Sequence, residues 1–326
     1  MANIAPQTAP HLSTAEMKAD YKRILRRETR ARAWRMRSFY GLLLMAFALL
    51  AVFKYAPIWG VSISFLDFNF YDGILGSAWN DFAHFRRLFQ DPFFYRIFRN
   101  NVVLSLLHLA ITFPAPIVLA LLLNEVRHTV YKRTVQSIGY LPHFMSWVVL
   151  SGILREVLSP STGFAGWLFT QLGLDPVNWF TNVETFRALL VGTAIWQSVG
   201  WGSIIYLAAL SGIDPQLYEA GAIDGTSRWQ NALHITLPSL VPVITILFLL
   251  RLGNLFEQSF EHVFMMYNPV VYEVGDIMET YIYRGGIQDG NFDYTTAVGL
   301  FQNVLGLVLL VVVNQITRRY SDFSVW

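Results

Sequence analysis

Six apolar stretches, each about as long as a bilayer crossing, leave this chain few folds to choose from. They cover Phe39–Phe65, Val102–Leu123, Val135–Leu154, Phe186–Leu210, Leu240–Phe260 and Thr295–Gln315. A hydrocarbon core of roughly 30 Å takes about 20 helical residues. Inside it the chain must pair every backbone N–H and C=O itself, which admits only helices and closed barrels. These runs are too long for barrel strands, so the expectation is an all-α membrane protein with six transmembrane helices. Composition agrees, with 54% of the 326 residues hydrophobic and only 14% charged, against about 25% charged in soluble domains. Cysteine is absent, which excludes a disulfide framework, a thiolate zinc site and an iron–sulfur cluster. The opening MANIAPQTAPHLSTAEMKADYKRI holds no apolar run, so a cleaved signal peptide is not expected.

Two of the stretches are irregular. "YLPHFMSW" places Pro142 and His143 inside the third, and Lys54 and Pro57 suggest that the first ends near the outer interface. Direction follows from Lys and Arg. Nine of them, from Lys18 to Arg37, precede the first span; Arg127, Lys132 and Arg133 follow the second; Arg318 and Arg319 follow the sixth. The positive-inside rule then puts both termini in the cytoplasm. The outer loop from Asp67 to Asn100 balances Arg86, Arg87, Arg96 and Arg99 against Asp67, Asp72, Asp81 and Asp91. Residues 1–37 are thus expected to form a basic cytoplasmic segment, with Ser13 and Glu16 as a capping box. Residues 38–326 are expected to form the six-helix domain.

One inside loop breaks the charge bias. Between the fourth and fifth spans, "YEAGAIDGTSRWQNALHITLP" carries Glu219, Asp224 and Arg228. A passive connection needs about 2–8 residues, whereas residues 211–238 supply about 28. Asp214-Pro215 reads as an N-cap with proline in the first turn. Asp224-Gly225 reads as a break, and Thr226 or Ser227 as the cap of a second short helix that Pro238 closes. The small residues Ala220, Gly221, Ala222 and Gly225 let another protein approach the backbone closely, and Glu219 is left exposed for a partner. An amphipathic helix lying on lipid would favour Lys and Arg instead. The segment reads as a docking knob.

This string resembles the signature loop of bacterial ABC importer permeases, E-A-A, three residues, G, then I-x-L-P. Here it stands as Glu219-Ala220-Gly221, Asp224-Gly225 and Ile235-Thr236-Leu237-Pro238. It departs at Gly221 and at Thr226, both usually Ala. "FPAPIVLALLLNEV", "VQSIGYLPHFMSWVV" and "YNPVVYEVGDIMETYIYRGG" extend the likeness toward the subgroup handling oligo- and polysaccharides, with alginate-type permeases as the nearest general likeness. The resemblance implies an ABC importer permease fold and coupling to an ATPase through Glu219, Ala220, Gly221, Asp224 and Gly225. It also implies a second, similar permease, two copies of a cytoplasmic ATP-binding subunit that hold ATP and Mg, and a periplasmic or lipid-anchored sugar-binding protein. No cofactor is expected in this chain, and no nucleic acid as partner. Location in a bacterial inner membrane follows.

No G-x-x-x-x-G-K-[ST], H-E-x-x-H or G-x-S-x-G occurs, and the seven histidines are scattered. His108 and His143, at membrane depth, are expected to hydrogen-bond between helices. Intramembrane polar residues usually face a cavity. Asn254, Gln258 and Glu261, with Glu257 alongside and Arg251 a turn earlier, would form one stripe on the fifth helix. That stripe, with Trp196 and Trp201, is the expected sugar path. The rival reading is a membrane enzyme acting on a lipid-linked sugar. It needs carboxylates or histidines converging near one interface, and no such cluster is visible.

Overall fold

The computed structural model describes residues 32, 34–256 and 259–320, apart from the side chains of 316, 317, 319 and 320. The Ser13–Glu16 capping box, nearly all of the basic segment, Glu257 and Gln258 lie outside the described residues. The chain divides into two units, up to Ser62 and from Ile63 onward. In the first, helix Arg37–Leu50 continues into a π turn at Ala51–Tyr55, and neither has a buried residue.

Among the described residues, five helices are long and apolar enough to cross a membrane: α1 (Arg37–Phe65), α3 (Pro92–Glu125), α7 (Phe186–Leu210), α9 (Arg228–Gly253) and the helix opening at Phe292, apolar to Gln315. The last, α12, runs on to Tyr320. The expected third span is instead a bent pair. The path bends by 110° between helices α4 (Thr129–Phe144) and α5 (Trp147–Val157). Pro142 tightens the end of α4 into a 3₁₀ turn, Met145 and Ser146 are extended, and Ser146 caps α5 by accepting from Val149 N–H at 3.5 Å. Shorter helices complete the second unit: α2 (Ala83–Leu88), α6 (Phe164–Gln171), α8 (Pro215–Ile223), α10 (Phe260–Met266) and α11 (Met278–Ile282). The strands Leu66–Asp67 and Ala78–Trp79 pair antiparallel.

Three helices share one device. Each has a π turn ending two residues before a proline: Ala51–Tyr55 before Pro57, His108–Thr112 before Pro114, Ala232–Thr236 before Pro238. Proline donates no N–H and clashes with the carbonyl four residues back. A wider turn lets the preceding residues bond five back, as Phe113 N–H does to His108 at 2.9 Å. Pro238 therefore does not close a separate short helix, as the sequence suggested. Helix α9 passes through it without a break.

The core of the second unit lies in three clusters. Leu104, Trp147, Leu150, Phe186, Leu190 and Met266 join α3, α5, α7 and α10. Leu88, Phe94, Ile97, Met278, Tyr294 and Val298 join α2, α3, α11 and α12. Ile117, Ala120, Tyr206, Leu210 and Leu240 pack α3, α7 and α9 together nearer the 214–227 loop. Helices α4 and α7 cross at glycine, where a Cβ on Gly200 would run into the Gly139 carbonyl.

Helix α9 stops at Gly253, and the chain then runs through short pieces to Met278. Side chains of the long helices satisfy this irregular backbone. The fully buried Asn100 donates to the carbonyls of Glu273 and Asp276 at 3.0 and 3.1 Å, and accepts from Arg187 at 2.9 Å. Asn101 donates to Phe256 O at 3.0 Å and accepts from Met278 N–H at 3.4 Å. Gln302 of α12 donates to the same Phe256 carbonyl at 3.0 Å. Leaving a buried polar group unpaired costs about 1–3 kcal/mol. Asn100→Leu strands two carbonyls and one N–H group of Arg187, whose Nε still bonds Val274 O; Asn101→Leu strands one N–H, because Gln302 still serves Phe256. We expect Asn100→Leu to destabilise by about 2–6 kcal/mol and Asn101→Leu by about 1–3, read as unfolding of the assembled protein in detergent. Equal losses, or none, would refute this role.

Candidate functional site

The loop between α7 and α9 is built by local chemistry. Asp214 caps α8 by accepting from Gln216 N–H at 3.0 Å, with Pro215 in the first turn. The helix ends in a Schellman motif: Thr226 N–H bonds Gly221 O at 2.9 Å and Gly225 N–H bonds Ala222 O at 3.2 Å. Gly225 carries the positive φ of 74° that this motif requires. Ser227 then opens α9 with a capping box, accepting from Gln230 N–H at 3.3 Å while its own N–H donates to the Gln230 side chain at 2.7 Å. The Tyr218 hydroxyl meets that of Thr236 at 3.0 Å and ties α8 to α9. Glu219, Ala220 and Asp224 are exposed, as are Ile223 at 87% and Trp229 at 72%. Apolar side chains this open at a helical knob suit a protein partner.

The two departures from the signature turn out to be one arrangement. Gly221 is buried, and a Cβ there would sit 2.8 Å from Thr226 Oγ1 and 3.0 Å from Asn231 Oδ1. The Thr226 hydroxyl lies 2.7 Å from Gly221 O and 2.6 Å from Asn231 Oδ1, sharing its one hydrogen. Glycine at 221 makes room for threonine at 226.

Between two apolar clusters lies a cavity of about 230 Å³, lined among others by His108, Trp147, Gln197, Arg251, Ser259 and His262. His262 is buried, stacked on Trp147 at 3.7 Å and 2.9 Å from the Thr193 hydroxyl. His108 contacts Thr112 of its own helix at 3.4 Å, so it lines a cavity rather than bridging helices. His143 stacks on Trp201 of α7 at 4.8 Å, but its buried Nδ1 has no hydrogen-bond partner among the described residues, so the expected interhelical hydrogen bond is replaced by ring stacking.

The expected polar stripe does not form. Because α9 ends at Gly253, Asn254 and Glu261 are not on one helix. Arg251 faces the cavity with the histidines. Asn254 lines a different one, of about 390 Å³, with Glu279 and Gln302. Glu261 is exposed on α10, and neither Trp196 nor Trp201, both partly exposed, lines the histidine cavity. Trp147, Gln197 and His262 were not expected from the sequence, because they sit on three separate helices, α5, α7 and α10, with nothing in their spacing to join them.

On the far end of the spans, Arg284 makes a fork with Asp276, donating at 2.6 and 3.2 Å to a carboxylate only 1% exposed. Burial opposes the arginine's charge, but the hydrogen bonds and charge of Asp276 prevail and hold its pKa above the ordinary arginine value. Nearby Tyr267 is pushed up to about 12 by burial and by Tyr272, so it stays a neutral hydroxyl at any physiological pH.

The Gly221–Thr226 fit yields a test by double-mutant cycle. Gly221→Ala should cost about 1–3 kcal/mol by overpacking. Thr226→Ala should recover much of that loss in the same chain while costing stability alone. Additivity within about 0.5 kcal/mol in denaturation of the assembled protein would show the two positions to be independent.

Residues 93–323 match the family described as binding-protein-dependent transport system inner membrane component. Over 321 residues, 97% of this chain and all of the relative, it is 39% identical to the polygalacturonan/rhamnogalacturonan transport system permease protein YteP of Bacillus subtilis. It also superimposes with a TM-score of 0.83, at 39% identity, on a chain in the crystal structure of a bacterial ABC transporter that imports the acidic polysaccharide alginate, covering 90% of this chain and 100% of that one. A second structure of an alginate ABC transporter, in complex with an alginate pentasaccharide-bound periplasmic protein, superimposes at 0.82 and 40% identity over 90% and 99%. Such proteins are transport permeases rather than enzymes, and the five long helices with the bent pair, the capped loop and the family match agree: this chain belongs to the inner-membrane components of binding-protein-dependent ABC transport systems.

Proposed function

We propose that this permease carries an acidic oligosaccharide or polysaccharide across a bacterial cytoplasmic membrane, and that Glu219–Gly225 passes the stroke of partner ATPases to the spans. The observation that carries the coupling role is the loop itself, a capped helix with exposed Glu219, Ile223 and Trp229 tied directly to α9. Two of the proteins it resembles handle polygalacturonan and alginate, and this supports acidic cargo. The partners in this reading are a second, similar permease and a periplasmic or lipid-anchored sugar-binding protein. Two copies of a cytoplasmic subunit hold ATP and Mg; this chain hydrolyses nothing. The histidine cavity with Arg251 is the cargo's route, offering hydrogen-bond donors and acceptors at the depth where the spans are otherwise apolar.

The test of coupling is substrate-stimulated ATPase activity of the assembled importer. Glu219→Lys places a cation where a partner expects an anion, at about 2–5 kcal/mol, hence more than about tenfold in activity. Gly225→Pro cannot adopt φ 74° and abolishes the turn. Both variants should insert at normal levels with stimulation lost, and wild-type stimulation in both would remove the assignment. Orientation is tested separately, since the chain lacks cysteine. With Asn231→Cys and Asn291→Cys, an impermeant thiol reagent on spheroplasts should label the second alone; the reverse pattern would place the loop outside the cell.

A further inference from the structure

A recess of about 650 Å³ opens at the end of the spans opposite the 214–227 loop. Its size falls within the roughly 300–1,000 Å³ usual for ligand pockets. Connectivity sets its side: it is walled by α2, the first turns of α3 and the segment from Tyr272 to Arg284, all on the face where α3 and α12 begin and α9 ends. Three guanidiniums, Arg87, Arg96 and Arg284, line it with two carboxylates, Asp91 and Asp276, leaving one positive charge in excess.

The carboxylates are already committed. Asp276 is taken up by Arg284 and by the Thr280 hydroxyl at 2.8 Å. Asp91 accepts from Phe93 N–H at 2.9 Å and from the Tyr294 hydroxyl at 3.1 Å. Arg87 and Arg96 are not committed in this way, and neither has a carboxylate within 4 Å among the described residues. Rings hold them in place instead. Arg87 lies 4.4 Å over Tyr294 and Arg96 lies 4.8 Å over Phe93. The Arg96 Nε–H is enclosed with no acceptor. A guanidinium stacked on a ring, with its terminal N–H groups uncommitted, can receive a planar anion through paired hydrogen bonds.

We propose that Arg87 and Arg96 form a vestibule site that takes a carboxylate of the incoming acidic sugar before it reaches the histidine cavity. This rests on the acidic-cargo reading above. A recess of this volume holds a sugar ring rather than only the tip of a side chain. A uronate oligomer presents one carboxylate per ring, so the chain can be held here while its leading end advances.

The test uses the importer assembled with its partner subunits in nanodiscs, without the binding protein, titrated with trigalacturonate, an alginate trisaccharide and the carboxyl-reduced neutral trigalactoside. Wild type should bind the acidic trimers at least about tenfold more tightly than the neutral one, with an advantage that falls as salt rises. Arg87→Gln and Arg96→Gln should each erase most of that preference, while Arg→Lys at either position retains part of it. Assembly yield, measured in parallel, identifies any variant that fails to fold. Equal acidic and neutral affinity in wild type, or an unchanged preference in both Gln variants, would overturn the site. Loss of binding-protein docking with trimer affinity intact would also overturn it, by showing that the anion belongs to that protein. Uptake of labelled trigalacturonate and alginate trisaccharide by wild-type vesicles with binding protein separates the two levels. Uptake with no vestibule preference sinks only the site, whereas absence of both sinks the acidic-cargo reading as well.

Discussion

Backbone that is neither helix nor barrel can exist at membrane depth only if protein satisfies it. The rest of this structure depends on how that demand is met between Gly253 and Met278. The adjacent amides divide the irregular segment between them: Asn100 holds its C-terminal part at Glu273 and Asp276, and Asn101 bridges its two ends at Phe256 and Met278. Arg155 adds bonds to Met265 O and Met266 O at 2.9 and 3.2 Å, and Asn268 donates to Phe180 O at 2.7 Å. With those carbonyls occupied, His262 can be buried against Trp147 and Asp276 against Arg284. Both the membrane cavity and the vestibule wall are therefore held by side chains rooted in regular helices.

The other requirement is transmission. Helix α9 begins at the Ser227 cap and continues to Gly253, 26 residues, or about 39 Å at 1.5 Å per residue. One end carries the loop's capping box and the other carries Arg251 into the cavity. In the proposed coupling, a displacement of α8 would reach α9 through the Tyr218–Thr236 and Thr226–Asn231 contacts and would carry the cavity wall at Arg251 with it. A partner that binds the loop differently in two states can shift the spans between them. A hydrogen-bonded rod suffices for this.

The spans and the loop were legible in the sequence because their causes are local. Twenty apolar residues in a row, Asp214-Pro215, Asp224-Gly225 and Ser227 with Gln230 each act within a turn of themselves. The polar stripe does not form because helical spacing does not continue past Gly253; Gly253-Asn254 is a stop signal that an otherwise apolar run hides, and Asn101 of α3 and Gln302 of α12 take up the Phe256 carbonyl beyond it. The third span broke where Pro142 warned it would, though not by how much. Asn100 and Asn101 look in sequence like the polar edge of a span, and their role depends on segments about 155 to 177 positions away. Gly221 and Thr226 stand in the sequence as two separate departures from the signature, because only three dimensions show that one makes room for the other.

The π turns ahead of the prolines set an angular phase. A turn closed five residues back holds one residue more than an α turn, and one residue is about 100° of rotation. The turn at Ala232–Thr236 lies between the capping box and Arg251, so it sets the direction in which that arginine points relative to the loop. The turn at His108–Thr112 does the same between the asparagine pair and the apolar face at Ile117 and Ala120. Losing one residue from either turn would rotate everything beyond it by about 100° and aim it at the wrong neighbours. In these two helices the prolines act as fixed offsets in the register between the two sides of the membrane.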